Sequence, residues 1–389
     1  MPPTHEFVAP ARVNLIGEHT DYTGGLVLPM AIPFTTVATL TPMQDGMYRF
    51  RSESFPAHRE MSLADRGERI GNWSDYPVGV LRELQALGIQ PPPFELALRG
   101  NIPLGSGLSS SASLEVVTAF ALLAHSHAAL SKPEIATLCR RAENGYVGSP
   151  CGIMDQFVVT AAEADHALLL DTRTLDSRAV PLNRGDLAGI SVVVCNSMVR
   201  HSIAAGDYGV RRIEVEAGQR ALQSVMPQLR DLGEATLADL ERHKDLMSAE
   251  SFRRCRHIIT ENGRVRATEA ALLEGSVRKT GALLLEAHAS QRDDFECSVE
   301  EIDFLVDTAA GLQGCFGARM TGGGFGGCTV NLVTNSEVES FIASLTSAYR
   351  ARFGVDAETY VCTAVAGAWQ RNVDQLPWVP SVAPGGEKA

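Results

Sequence analysis

The feature that most constrains this chain is a strand, a glycine-serine turn and a helix in direct succession. PFELALRG reads as a strand, Asn101-Ile-Pro-Leu-Gly-Ser-Gly-Leu-Ser-Ser-Ser-Ala-Ser113 follows it, and a helical pattern runs from Ser109 to about Ala128. Gly105 and Gly107 permit a tight turn and let the backbone come close to a ligand. Ser109, Ser110 and Ser111 then put hydroxyls and free N–H groups at the positive end of the helix dipole, where an anion is stabilised. A flexible turn ending in a serine N-cap is the plainer alternative. The P-loop pattern GxxxxGK[ST] does not occur in the sequence, which disfavours the ordinary P-loop architecture.

A second glycine-rich segment, Thr321-Gly-Gly-Gly-Phe-Gly-Gly-Cys-Thr329, formally satisfies the dinucleotide fingerprint GxGxxG through Gly322, Gly324 and Gly327. That fingerprint must open a helix after a first strand, whereas here CTVNLV comes next and alternates as a strand, so the dinucleotide reading is rejected. Five glycines in six positions point to close approach of backbone to a ligand or to the other glycine loop.

Polar chemistry concentrates in a third segment, Ala11-Arg-Val-Asn-Leu-Ile-Gly-Glu-His-Thr-Asp-Tyr-Thr-Gly-Gly25, where Arg12, Glu18, His19 and Asp21 crowd a short turn. Desolvated sugar hydroxyls each need a donor or acceptor, which this density of side chains supplies; a solvated polar turn is the alternative. Cys151-Gly-Ile-Met-Asp-Gln156 sets one acid, Asp155, among apolar neighbours, a pattern shared by functional acids and by structural caps. Glu143, twelve residues earlier, reads as an exposed helix charge unless a metal is bound beside it.

With 389 residues the chain exceeds the size at which one core stops growing, and 45% hydrophobic against 21% charged residues suits a globular fold rather than disorder. Strands are expected between Phe7 and Ser52, helices at 75–87, 109–128 and 132–146, and a strand at 166–171. A polar stretch then carries the chain across a boundary near 183, giving lobes 1–183 and 184–389. The second lobe reads as helices, at about 206–312, against an antiparallel sheet, with a tail from Pro377 that frays. A net charge of −12 without basic clusters argues against nucleic acid or anionic membrane as partners. Eight cysteines without a CxxC pair, no signal-like start and no run of ~18 apolar residues predict a soluble protein of the cytoplasm.

In order and spacing, PARVNLIGEHTDY, PLGSGLSSSAS, CGIMDQ and TGGGFGG resemble the galactokinase family of the GHMP small-molecule kinases, with support from NSMVRHSIAAGDYGVRR, RRCRHIITENGRV and RDDFECSVEEIDFLV. The resemblance spans nearly the whole chain, and GEHTDY is its most specific part. It implies an α+β fold of two lobes, the N-terminal one ribosomal-protein-S5-like and the C-terminal one ferredoxin-like, with the active site between them. The implied activity is ATP-dependent phosphorylation of the anomeric hydroxyl of galactose, the entry to galactose catabolism, by a monomer that uses Mg2+. Asp155 matches the catalytic base and Arg12 the residue that stabilises the transition state. Glu18, His19, Thr20, Asp21, Gly152 and Tyr208 match galactose-binding positions. Gly105, Ser106, Gly107, Leu108, Ser109, Ser110 and Ser111 match the ATP-phosphate loop, and Ser111 with Glu143 the magnesium positions. The adenine pocket falls in the variable stretch 51–73. Ala11, Thr23 and Ala287 depart from residues common in the family.

The same residues allow two rivals: a kinase for a related sugar such as N-acetylgalactosamine, arabinose or galacturonic acid, and a sensor that binds galactose and ATP without turnover.

Overall fold

The hydrophobic runs near the start of the chain condense into β1 (His5–Asn14), β2 (Leu26–Val27), β3 (Pro29–Pro42), β4 (Met47–Ser52), β5 (Arg59–Ser62) and β6 (Phe94–Gly100), with helices α1 (Asp75–Ala86), α2 (Ser110–His125), α3 (Lys132–Arg141) and α4 (Met154–Ala161). The structure, a computed structural model, describes residues 5–371 other than 66, 104 and 201–203. The tail expected from Pro377 lies outside the described residues. β1 pairs with β3 along almost its whole length, with a register shift at Pro10/Ala11, where proline cannot donate to the ladder. β4 and β6 run parallel, while β1–β3, β3–β6 and β4–β5 are antiparallel. Helix α2 is apolar around its circumference and is correspondingly enclosed: Val116, Val117, Ala119 and Leu122 pack with Phe7, Phe50, Leu96 and Phe157 in one core.

The chain then forms β7 (His166–Asp171) and β8 (Ser177–Pro181), which join β2 in a small sheet, and β9 (Ile190–Arg200). Helices α5 (Ala204–Val225), α6 (Leu237–Arg242), α7 (Ala249–Glu274), α8 (Val277–Ser290) and α9 (Glu300–Gly311) come next. The rest comprises β10 (Cys315–Thr321), β11 (Gly326–Thr334), α10 (Val338–Phe353), β12 (Glu358–Cys362) and β13 (Trp369–Arg371). The second sheet, in the order β10-β11-β9-β12, is antiparallel throughout.

Both faces of that sheet are apolar because both are covered. Val193, Cys195, Ala318 and Val333 pack against Leu305 of α9 and Phe341, Leu345 and Tyr349 of α10. Val192, Val194, Val330 and Leu332, one position out of phase, share a core with Ala11, Val13, Met30 and Ile32 of the first sheet. This shared core fixes the two sheets against each other and places the end of β1 beside β10.

One detail cuts across the expected lobe boundary. Residues beyond 183 were all expected in the second lobe, yet β13 returns and pairs with β1 at Glu6–Val8. The physical reason is the edge of the first sheet, where β1 would otherwise present unpaired backbone groups. No helix among the described residues is long and apolar enough to cross a membrane.

Candidate active site

Arg12 and Asp155, 143 positions apart, form the centre of the site. Arg12 projects from β1 with its guanidinium enclosed, while Asp155 stands in the first turn of α4, where the helix dipole favours a carboxylate. Arg12 Nε and Nη2 donate to the two Asp155 oxygens at 2.7 and 2.6 Å, and Nη1 donates to the Gly107 carbonyl at 2.7 Å. A planar fork can satisfy all three acceptors at once, which a lysine cannot. The Arg12 side chain is 7% exposed and that of Asp155 26%, so the carboxylate reaches solvent while the cation is enclosed. Burial works against the charge on Arg12, but Asp155, followed by Glu18 and Asp21, outweighs it and holds the guanidinium above its ordinary pKa.

The glycine-serine loop meets this pair directly. Gly105 and Gly107 have φ of 71° and 76°, and Ser109 also adopts the left-handed region at 62°. Ser109 precedes α2 but makes no capping hydrogen bond; its hydroxyl donates to Asp155 Oδ2 instead. The serine N-cap reading is therefore corrected: the left-handed backbone turns the Ser109 side chain toward Asp155, where its hydroxyl makes a charge-assisted bond, and its oxygen does not accept from the N–H groups of the first turn. Ser106 and Leu108 are buried and shape the loop. The Ser106 hydroxyl donates to the Pro103 carbonyl at 2.7 Å, and the Leu108 carbonyl accepts the Arg12 N–H at 3.3 Å. The second glycine segment is the turn between β10 and β11, not the opening of a helix. It backs onto the first loop, for the Cys328 thiol lies 3.1 Å from the Ser106 carbonyl, and a Cβ on Gly327 would come within 3.6 Å of that oxygen.

The polar Ala11–Gly25 segment lies on the other side of Asp155. Glu18 is 3% exposed; it accepts from the Gly322 N–H at 2.8 Å and pairs with Arg319 at 3.2 Å. Burial raises its pKa, with Arg319, Gly322 and Arg12 opposing. His19 stacks on Phe295, ring centroids 4.0 Å apart, and faces Tyr208 at 5.6 Å. Its Nε2 is buried without a hydrogen-bond partner among the described residues. Burial first, then His257 and Arg319, drive its pKa well below the ordinary value, so the ring is neutral. Thr20 is turned inward, donating to the Gly17 and Leu26 carbonyls at 2.9 and 2.7 Å, so its side chain shapes the turn rather than facing the cleft. Gly152 abuts Asp21 so closely that a Cβ would lie 1.8 Å from Asp21 Oδ2.

Asp21 is raised to about 7 by burial and then by repulsion from Asp155 and Glu18. The folded state therefore binds a proton here that the unfolded chain has released above the ordinary aspartate range. Stability is accordingly lost as pH rises through that range to about 7, and levels off above it. Asp21→Asn removes this penalty. Thermal melts at pH 4 and 8 should show the variant gaining on the parent protein at pH 8 and little at pH 4.

A third cluster lies behind the loop. Glu143 sits in a single π-helical turn (Ala142–Val147), 6% exposed, and Gln156 Nε2 donates to it at 2.7 Å and to Glu115 of α2 at 3.1 Å. Burial, then repulsion from Asp155, raises Glu143 to about 7, with Cys151 and Ser111 among the groups that oppose the shift. Ser111 and Glu143 offer hard oxygen donors short of the counter-charge that two buried carboxylates need, and Glu115 Oε1 has no hydrogen-bond partner among the described residues. That donor set fits a Mg2+ ion taking most of its ligands from phosphate and water. On the outer side of Ser110 and Ser111 opens a cavity of about 180 Å³ lined by Ser52, Phe55, Trp73, Tyr76 and Leu114, with the Phe55 and Trp73 rings stacked at 6.3 Å.

Residues 2–42 match the galactokinase galactose-binding signature, residues 75–163 the GHMP kinases N-terminal domain and residues 268–351 the GHMP kinases C-terminal domain. The chain is 42% identical to galactokinase from Roseiflexus sp. (strain RS-1), over 92% of this chain and 91% of that one. The chain belongs to the galactokinase family. Human galactokinase is likewise 42% identical, over 92% of this chain and 90% of its own. The structure of Lactococcus lactis galactokinase complexed with galactose superposes with a TM-score of 0.91 at 33% identity, covering 95% of each chain.

For a galactokinase-family chain, the sequence reading overlooked Glu115 and Gln156, and it placed the adenine pocket in 51–73 without singling out Phe55 and Trp73. Glu115 carried a signal, since it is the single acid inside the otherwise apolar ASLEVVTAFALLA. Phe55 and Trp73 carried none, because their stacking depends on how the loops after β4 and β5 fold back.

Proposed function

We propose that this chain transfers the γ-phosphoryl group of ATP to the anomeric hydroxyl of galactose, yielding galactose 1-phosphate and ADP. The observation that carries this reading is the Arg12 fork, which ties a solvent-reaching carboxylate to the carbonyl of the glycine-serine loop. It sets a proton acceptor and an anion-binding turn within one guanidinium of each other.

Glu18, neutral His19, Asp21 and Tyr208 hold the sugar hydroxyls, and the Gly152 backbone closes over Asp21. Asp155 accepts the proton from the anomeric oxygen as that oxygen attacks the γ-phosphorus in line and the bond to the β–γ bridging oxygen breaks. Arg12 offsets the charge that builds between acceptor and phosphate, and the N–H groups at the start of α2 receive the phosphate oxygens. Ser111 and Glu143 would hold Mg2+, which when bound supplies neutralisation of β- and γ-phosphate charge. The cavity beside Ser110 and Ser111 takes the adenine between Phe55, Trp73 and Leu114.

Trp73→Ala should raise the KM for ATP about tenfold while the KM for galactose holds, because it removes stacking area from the base alone. Gly152→Ala should have the opposite signature, a galactose KM raised by at least about tenfold, since the methyl group and the Asp21 carboxylate cannot occupy the same space. Steady-state kinetics with each substrate varied separates the two.

All eight cysteines are free thiols, which supports a reducing, cytoplasmic setting. The reading is tested by turnover on galactose, N-acetylgalactosamine, arabinose, galacturonic acid and glucose with Mg-ATP. Galactose should be the preferred acceptor. Preference for another sugar moves the assignment within the GHMP kinases, and binding of galactose and ATP without turnover would make the chain a sensor.

A further inference from the structure

The segment RRCRHIITENGRV has no part in the chemistry above, yet α7 carries from it a buried polar face that grips the Ala11–Gly25 turn by its backbone. His257 and Glu261 are both 0% exposed and lie one helical turn apart. His257 Nε2 is 3.2 Å from the Glu18 carbonyl, and its Nδ1 is 2.9 Å from the Ser290 hydroxyl on α8. A carbonyl only accepts, so Nε2 carries the proton; with the ring neutral, Nδ1 receives the Ser290 hydroxyl proton. Glu261 Oε1 accepts the Gly17 N–H at 2.9 Å, while its Oε2 is held by Arg264 at 2.6 Å.

The gripped residues bracket a backbone that needs holding. Gly17 has φ of 102° and a Cβ there would lie 2.7 Å from the Leu26 carbonyl, while His19, which is not glycine, sits at φ 63°. A left-handed residue other than glycine persists only when its surroundings over-determine it. The Glu18 carbonyl belongs to the peptide that sets His19, so releasing it lets that peptide rotate and displaces the His19 ring. His257 also packs against Phe295, centroids 5.0 Å apart, the ring on which His19 stacks. No comparable contact from His257 or Glu261 to the glycine-serine loop occurs among the described residues.

We infer that His257 and Glu261 are positioning residues for the sugar, holding the Gly17–His19 backbone in the one geometry that points Glu18, His19 and Asp21 at galactose. The inference rests on the functional reading above, in which that turn holds the sugar. It predicts an effect confined to one substrate, which general destabilisation would not give.

The test uses the full chain with His257→Leu, His257→Gln, Glu261→Gln and Ser290→Ala, measuring the KM for galactose and for ATP alongside thermal melts. His257→Leu, which leaves the Glu18 carbonyl unmatched, should raise the galactose KM about tenfold with the ATP KM within about twofold. His257→Gln retains an N–H donor and should recover to within about threefold of the parent. Glu261→Gln keeps an acceptor for Gly17 but loses Arg264, and Ser290→Ala frees only the far side of the ring; each should shift the galactose KM by about threefold. Equal shifts in both KM values, or a glutamine variant no better than leucine, would overturn the inference. Should His257→Leu not fold, a parental galactose KM in both Ser290→Ala and Glu261→Gln would overturn it equally. Failure of the parent protein itself to phosphorylate galactose would instead refute the functional reading.

Discussion

Asp155→Asn is expected to fold and to bind both substrates, with KM values within about threefold of the parent, yet to lose about 10³-fold in kcat for galactose. The amide keeps the volume of the carboxylate but cannot accept the anomeric proton. It also presents an N–H group to Arg12, so one arm of the fork loses its acceptor. Single-turnover measurements on the purified variant, with circular dichroism to establish folding, check the prediction. A loss of only about tenfold would show that the carboxylate orients the hydroxyl and that little proton transfer precedes phosphoryl transfer, as a loose transition state allows.

Arg12→Lys should be nearly as damaging, with kcat reduced by about 10² and the Tm lowered. Lysine keeps the charge but cannot donate to both Asp155 oxygens and to the Gly107 carbonyl together. Breaking a wholly buried ion pair costs roughly 3–5 kcal/mol; here about 2 kcal/mol is expected, because lysine restores part of the pairing and the Asp155 side chain is 26% exposed. The two residues act through one arrangement, so the double variant Arg12→Lys/Asp155→Asn should be scarcely slower than Asp155→Asn alone. Multiplicative losses would mean that the two contribute separately.

The strands of the first sheet were readable because β-branched and apolar runs between Phe7 and Ser52 are interrupted by glycine, proline and aspartate where the chain turns. The helices at Asp75–Ala86 and Lys132–Arg141 announced themselves by periodicity, and the serine at 131 with Glu134 forms a capping box. The late glycine segment was separable from a dinucleotide motif because CTVNLV, immediately after it, alternates with the period of a strand. The features that escaped depend on partners remote in sequence. Ser109 looks like an N-cap until Asp155 is folded beside it. Thr20 looks like part of a polar lining, but its hydroxyl is spent on the turn's own carbonyls. Glu143 reads as a surface charge, and only the packing of α2 and α4 turns it into one of two buried carboxylates bridged by Gln156. β13 is too short to register as a strand and exists because β1 offers it an edge.

The central claim is that the phosphate goes to the anomeric oxygen with Asp155 accepting its proton. Proton-coupled phosphorus NMR of the product formed from galactose and Mg-ATP tests this most directly, run with the parent protein and with Asp155→Asn. The expected result is one new phosphate ester coupled to the single anomeric proton, formed rapidly by the parent and barely by the variant. A phosphate coupled to the methylene protons of the sugar, or an anomeric ester formed equally fast by both proteins, would contradict it.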